Sequence, residues 1–390
     1  MKGVSNSLPQ WVDQPAVLQE LCRQARSVGR VAMDTEADSF YAYFQKLCLV
    51  QLSFAGRHAL VDPLALSRAG LDPLVELLED PSVTKVFHGA DYDVRVLHRD
   101  LGARVRGLED TQVAAQLLGE PRTGLAAMLL KELGVVVAKE HQRADFRRRP
   151  LPETLRRYAA ADTAHLLALA EILRRRLSEM GRVGWWLEEC RFLEGVEWSS
   201  PSTPAAPHER IPGAGKLAGV ARDRLVALAQ WRERVAAELD VAPFRVVRNE
   251  TLLQLAREGA ASLAELAGRA GVGKALARRF GKELLAILAT PPPAPPRAPA
   301  PPRRVDRERE RRTAQLRAVR DQVASQLGID GSLLAPRAAL EALVDGRVAD
   351  REGLHRCLGR EWRTAVLAPH LLPVLASFSA APDGEHAPPS

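Results

Sequence analysis

A chain of 390 residues with 46% hydrophobic content can bury two or three cores, which excludes a wholly disordered protein. Its formal net charge of +7 favours polyanionic partners. The four cysteines, Cys22, Cys48, Cys190 and Cys357, lie far apart with no C-x-x-C pair, which excludes a disulfide scaffold and a cysteine zinc site and fits a reducing compartment.

The chain opens on "MKGVSNSLPQWVDQ", which lacks the apolar core of a signal peptide, and no run of about 18 apolar residues follows. A cytoplasmic location and no membrane partner are expected. "GRVAMDTE", "LCLVQLSFAG" and "RHALVDPL" are short apolar runs with little sequence between them, the pattern of an antiparallel meander. After them come a helix in "DPLVELLED", a strand in "TKVFHGA", and helices in "DYDVRVLHRDLG", "DTQVAAQLLG" and "GLAAMLLKELG". One long helix is expected over "PETLRRYAAADTAHLLALAEILRRRL". This first block, 1–198, therefore reads as α/β with a mixed sheet.

Two stretches, "SSPSTPAAPHERIPG" and "TPPPAPPRAPAPPRR", are too rich in proline and small polar residues to build a core, and read as linkers over 199–215 and 290–304. Between and after them lie two all-α blocks, 216–289 and 305–377, and a polar tail, 378–390. In the first, Leu225, Leu228, Trp231, Val235 and Leu239 form a helical stripe. Shifted by 88 positions, "RVAAELDVAPFRVVRNETLLQLA" aligns with "QVASQLGIDGSLLAPRAALEALV" without a gap, pairing Val235 with Val323, Leu239 with Leu327 and Leu252 with Leu340. The second bundle is read as a diverged copy of the first, and Trp362 as part of its core.

The chemistry lies in acids. Asp34 and Glu36 in "MDTEAD" sit at i and i+2, so a strand projects both carboxylates from one face, at the carboxyl end of what reads as a central strand. Of the two acids in "HGADYD", Asp91 is read as a helix cap and Asp93 as a site residue. "RRYAAADTAHLL" places Tyr158 four residues before Asp162, on one helix face. Four carboxylates gathered together repel unless cations neutralise them, and an oxygen-only donor set suits Mg²⁺ or Mn²⁺. Two such ions, about 3.5–4 Å apart, support in-line phosphodiester hydrolysis. A tyrosine, with a pKa near 10, is a poor base at neutral pH but can orient a water by hydrogen bonding.

In this order, "DTE", "HGADYD" and "YAAAD", with "DTQVAAQLLG" and "RRPL" between the second and third, resemble the tyrosine-type DEDD exonucleases, the ribonuclease D family among them, over roughly 31–173. The resemblance implies a ribonuclease H-like fold and 3′–5′ hydrolysis. It assigns Asp34, Glu36, Asp93 and Asp162 as metal ligands and Tyr158 as their catalytic partner, acting on RNA with a free 3′ end, such as precursor tRNA and small structured RNAs, and releasing nucleoside 5′-monophosphates. His88 matches a position near the terminal nucleotide, and Lys139 and Arg143 are candidate phosphate contacts. Phe146 stands where the family carries tryptophan. "WRERVAAELDVAPFRVVRNETLLQLA" resembles the HRDC module, which makes both bundles HRDC-like. The acids act on phosphate and would serve a DNA exonuclease equally well, and no residue that reads the ribose 2′-hydroxyl is legible. A catalytically inactive RNA-binding scaffold is the other reading, and the complete acidic set opposes it.

Overall fold

The apolar runs flanking Asp34 form the middle of a six-stranded sheet with the order β1-β4-β3-β2-β5-β6. The computed structural model describes residues 8–137, 144–198, 206–293 and 306–380. The strands are β1 (Gln10–Val12), β2 (Arg30–Ala37), β3 (Leu47–Phe54), β4 (Arg57–Val61), β5 (Thr84–Phe87) and β6 (Leu108–Asp110). β2, β3 and β4 pair antiparallel as a meander, while β5 and β6 extend the sheet in parallel from β2, and β1 runs parallel to β4. β1 and β6 are three residues each, too short for an alternation of apolar and polar residues to show in the sequence.

Around the sheet lie α1 (Pro15–Val28), α2 (Asp72–Glu79), α3 (Asp91–Leu101), α4 (Thr111–Leu117), α5 (Leu125–Leu133), α6 (Glu153–Ala164), α7 (Leu166–Glu179) and α8 (Val183–Glu194). The single long helix expected over α6 and α7 is broken at His165, whose φ of −111° and ψ of 2° interrupt the helical path. The break serves two packing surfaces: α6 lies on β2, β3 and β4, whereas α7 packs against α4, α5 and β5. Asp91 does not cap α3. The N-cap residue is Ala90, and Asp91 instead pairs with Arg95 one turn on, at 3.0 Å.

The first bundle comprises α9 (Gly219–Leu239), α10 (Pro243–Val246), α11 (Asn249–Glu258), α12 (Leu263–Gly268) and α13 (Gly273–Ala289). The second comprises α14 (Arg307–Leu327), α15 (Gly331–Leu334), α16 (Arg337–Asp345), α17 (Arg351–Leu358) and α18 (Glu361–Ala380), and each of its helices starts 88 residues after its counterpart. In α9 the stripe buries Leu225, Leu228, Trp231 and Val235, but Leu239 at the helix end is 37% exposed.

The bundles relate to the sheet differently. Buried residues from Ile211 to Leu288 form a core of their own. Those from Leu316 to Leu375 run continuous with the core around the sheet. The seam is α8 against α18: Trp362 stacks on Trp185 with ring centroids 4.8 Å apart, and its indole donates to Glu189 at 2.8 Å. Arg360 and Arg363 approach the same carboxylate at 3.1 and 2.8 Å. Trp362 is thus core, as expected, but it packs the junction rather than its own bundle alone.

Because Glu189 neutralises two guanidinium groups at a site with little solvent, its removal leaves buried unpaired charge. Glu189→Ala is expected to lower unfolding stability by about 3–5 kcal/mol in chemical denaturation. A loss below about 1 kcal/mol would mean that the junction is solvated.

Candidate active site

β2 is central, and its pleat puts Asp34 and Glu36 on one face while Thr35 faces the other way. On the Asp34 side lies α6, which carries Tyr158 and Asp162 one turn apart. One carboxylate oxygen from each of Asp34, Glu36 and Asp162 can be chosen so that all lie within 4.8 Å of one another. Asp93, in the first turn of α3, stands apart from that triple. Its Oδ1 accepts a 2.6 Å hydrogen bond from the Thr35 hydroxyl, while its charge still acts on Asp34 and Glu36.

Burial is the first cause of the strained electrostatics here, and mutual repulsion adds to it for the two acids on β2. Glu36 is pushed up to about 8 by burial and then by Asp162 and Asp93. Burial alone takes Asp162 to about 7, and it also raises Asp93 to about 7 against the opposing Thr35 hydrogen bond. Asp34 is raised by burial and by the three other acids. The Tyr158 phenol is held above its usual range by burial and then by Asp162, Glu36 and Asp34, so it stays protonated at neutral pH and can donate a hydrogen bond. Among the described residues no lysine or arginine pairs with any of the four acids. A buried carboxylate set without internal cations fits a hard divalent ion.

Supporting residues escaped the sequence reading. Gln51 lies directly across from Asp34 on β3, is fully buried, and reaches Asp34 Oδ2 at 3.4 Å. Its signal was a lone amide in the apolar run "LCLVQLSF". Ser53, also on β3, bonds the Thr163 hydroxyl at 2.7 Å and His58 at 2.8 Å, tying α6 to the sheet beside Asp162. Asp110 caps α4 through the amides of Gln112 and Val113, and also accepts from Gly89 and Ala90 at 2.9 and 2.7 Å, fixing the turn that launches α3 and so places Asp93. Gly89 has φ of +82°, a left-handed conformation that side chains disfavour, so the turn favours glycine; a Cβ there would meet only the movable end of the Gln112 side chain.

His88 precedes that turn and bonds the Thr111 hydroxyl at 2.9 Å, with burial lowering its pKa, so it is a neutral anchor in this geometry. Phe146 is buried with Leu49, Leu60 and Ala159 in the small core beneath α6, against which Tyr158 packs. Lys139 and Arg143 lie outside the described residues.

The central strand presents paired acids, and a crossing helix adds a tyrosine and an aspartate, an oxygen-donor set of the kind that could hold divalent cations. The sequence pattern of the 3′–5′ exonuclease family matches residues 9–178, and that of the HRDC domain matches 221–288. Ribonuclease D of Xanthomonas oryzae pv. oryzae is 32% identical over 379 residues, covering 96% of this chain and 100% of its own. The crystal structure of Escherichia coli RNase D, an exoribonuclease involved in structured RNA processing, superposes with a TM-score of 0.67 at 29% identity, over 95% of this chain and 100% of that one. The catalytic core of RRP6 from Trypanosoma brucei has a TM-score of 0.66 at 28% identity, over 74% of this chain and 80% of its own. The chain belongs to the ribonuclease D family of hydrolytic 3′–5′ exoribonucleases. No described helix is long and apolar enough to cross a membrane.

The raised acid pKa values have a definite sign. The folded protein holds protons that the unfolded chain releases near pH 4, so without a divalent ion these groups cost stability as pH rises from about 4 towards 8. Cation binding replaces those protons. The rise in melting temperature produced by Mg²⁺ is therefore expected to be small at pH 5 and to grow up to pH 8 in scanning calorimetry, and to shrink in Asp34→Ala. Equal increments at both pH values would place ion binding elsewhere.

Proposed function

We propose that Asp34, Glu36, Asp93 and Asp162 hold two divalent cations, Mg²⁺ or Mn²⁺, and that Tyr158 is the catalytic residue beside them. The convergence of Asp34, Glu36 and Asp162 oxygens within 4.8 Å, next to a protonated phenol, carries this reading. When bound, the cations would acidify the attacking water and stabilise the charge that develops on the phosphate oxygens. The residues of the chain supply the rest. Asp34 and Glu36 come from one rigid strand, so their spacing is set by the pleat and costs no reorganisation during reaction. Asp93 is held by the Thr35 hydroxyl, and Asp162 by the neighbouring Ser53–Thr163 contact. The Tyr158 hydroxyl hydrogen-bonds and orients the water for attack on phosphorus, in line with the leaving 3′-oxygen. As the water oxygen bonds to phosphorus it gives up a proton to solvent, the P–O3′ bond breaks, the new 3′-hydroxyl takes a proton from solvent, and a nucleoside 5′-monophosphate leaves.

The substrate is RNA with a free 3′ end, in particular precursor tRNA and other small structured RNAs in the cytoplasm. The E. coli relative's part in structured RNA processing and the excess of basic residues support this reading. His88 serves it indirectly, by anchoring the turn before Asp93.

A time course on 3′-labelled RNA and DNA of the same sequence tests the assignment. RNA is expected to yield 5′-monophosphates, to be spared by a chelator, and to be cleaved again on addition of Mg²⁺ or Mn²⁺; equal rates on DNA would remove the RNA preference. Asp34→Ala is expected to abolish hydrolysis while leaving the fold intact, and near-normal turnover in ample Mg²⁺ would remove Asp34 from the ion site. Tyr158→Phe is expected to lower kcat by ~10²–10⁴ with ion binding retained. An unchanged kcat would return Tyr158 to a packing role.

A further inference from the structure

Between β2 and β3 the chain runs through "DSFYAYFQK", residues 38–46, immediately after Glu36. This loop is aromatic, and much of it faces solvent: Phe44 is 63% exposed and Phe40 is 40% exposed. Exposed aromatic rings in a surface loop mark a candidate contact surface. Phe40 lies only four positions after Glu36, a span of at most ~14 Å.

The loop is held by the first bundle, at the junction of α9 and α10. Asp240 Oδ1 accepts from the amides of Tyr43 and Phe44 at 3.1 and 3.0 Å. The Ala242 amide donates to the Tyr41 carbonyl at 3.0 Å, and Arg245 Nε donates to the Phe40 carbonyl at 2.9 Å. The Phe244 ring, itself 41% exposed, lies 4.8 Å from Phe40. The guanidinium groups of Arg245 and Arg147 lie 4.1 and 5.3 Å from the centre of the Tyr41 ring.

Asp240 is itself unusual. Its φ of 46° and ψ of 50° are left-handed, a conformation that a side chain disfavours and glycine accepts readily. A helix ending alone would be served better by glycine. The carboxylate is what glycine lacks, and its Oδ1 accepts from the loop of the nuclease domain.

We propose that this aromatic and arginine cluster is a stacking site for the single-stranded RNA just upstream of the terminal nucleotide, and that Asp240 is the positioning residue that holds it in register with the catalytic acids. The inference rests on the exoribonuclease reading above. Exposed rings next to the Arg245 guanidinium match the two needs of a single strand, a face for each base and positive charge for the phosphates, whereas Arg147 is paired with Asp145 at 2.9 Å. Stacking reads no sequence, which suits an enzyme that removes whatever nucleotide comes last. The first bundle then acts on the nuclease site through the loop, in addition to any contact of its own with RNA.

The test uses the full chain with Mg²⁺ and two substrates, a ribodinucleotide that ends within the catalytic pocket and a twelve-residue oligoadenylate that extends past the loop. The quantity read is KM for the long substrate divided by KM for the dinucleotide. Phe44→Ala is expected to raise this ratio about tenfold, as loss of one stacked base would, and Phe44→Trp to restore it. Asp240→Gly removes the acceptor while relieving the left-handed backbone, so it is expected to raise the ratio without lowering the melting temperature. Asp240→Asn, which keeps an Oδ1 acceptor and tolerates the same backbone, is expected to keep the ratio near wild type. An unmoved ratio in Phe44→Ala overturns the stacking site, and equal ratios in Asp240→Gly and Asp240→Asn overturn the positioning role. If the unaltered protein cleaves neither RNA, it is the exoribonuclease reading that falls.

Discussion

Asp34, Glu36 and Asp162 bring carboxylate oxygens within 4.8 Å of one another in a partly buried pocket, with Asp93 close enough to add its charge. Such a cluster works against folding, since burial and repulsion both penalise its ionised form. The structure around it consists largely of devices that hold it together. β2 pairs with β5 through Arg30–Ala32 and with β3 through Asp34, Thr35 and Glu36, so the ladder to β3 holds Asp34 and Glu36 at the spacing of the pleat. Gln51 and Thr35 offer hydrogen bonds that favour the charged forms without adding charge.

The helices that deliver the remaining acids are held as firmly as the strand. α6 is tied to β3 through Thr163 and Ser53, one position from Asp162, and rests on the small core that contains Phe146. α3 leaves the sheet through a turn that Asp110 grips by its amides and whose positive φ at position 89 favours glycine. Asp34, Asp93 and Asp162 are thus each placed by a rigid element and by a polar contact at or beside them, the arrangement that preorganised catalysis needs.

The two bundles have come to differ despite their shared spacing. The second is fused to the nuclease domain through Trp185, Trp362 and the Glu189–Arg360–Arg363 contacts, and shares its core. The first keeps a separate core and reaches the nuclease domain through the polar contacts of Asp240, Ala242 and Arg245. An apolar fusion of that kind favours rigidity, whereas a polar seam of hydrogen bonds and exposed rings leaves a surface on which a ligand can lie.

Much was legible in the sequence because it rests on local rules. The meander strands follow from short apolar runs with short connections, and Asp34 and Glu36 share a face because a strand repeats every two residues. Tyr158 and Asp162 align because a helix returns after about four, and the second bundle was visible because its helices kept the 88-residue register. What only the tertiary structure decided are the features that depend on contacts between distant segments. The break at His165, the three-residue edge strands and the pairing of Asp91 with Arg95 in place of a cap follow from packing that no periodicity encodes. Gln51, Asp110 and Asp240 are single polar residues that each reach partners 17 to 197 positions away, so those roles depend on which surfaces meet once the chain has folded.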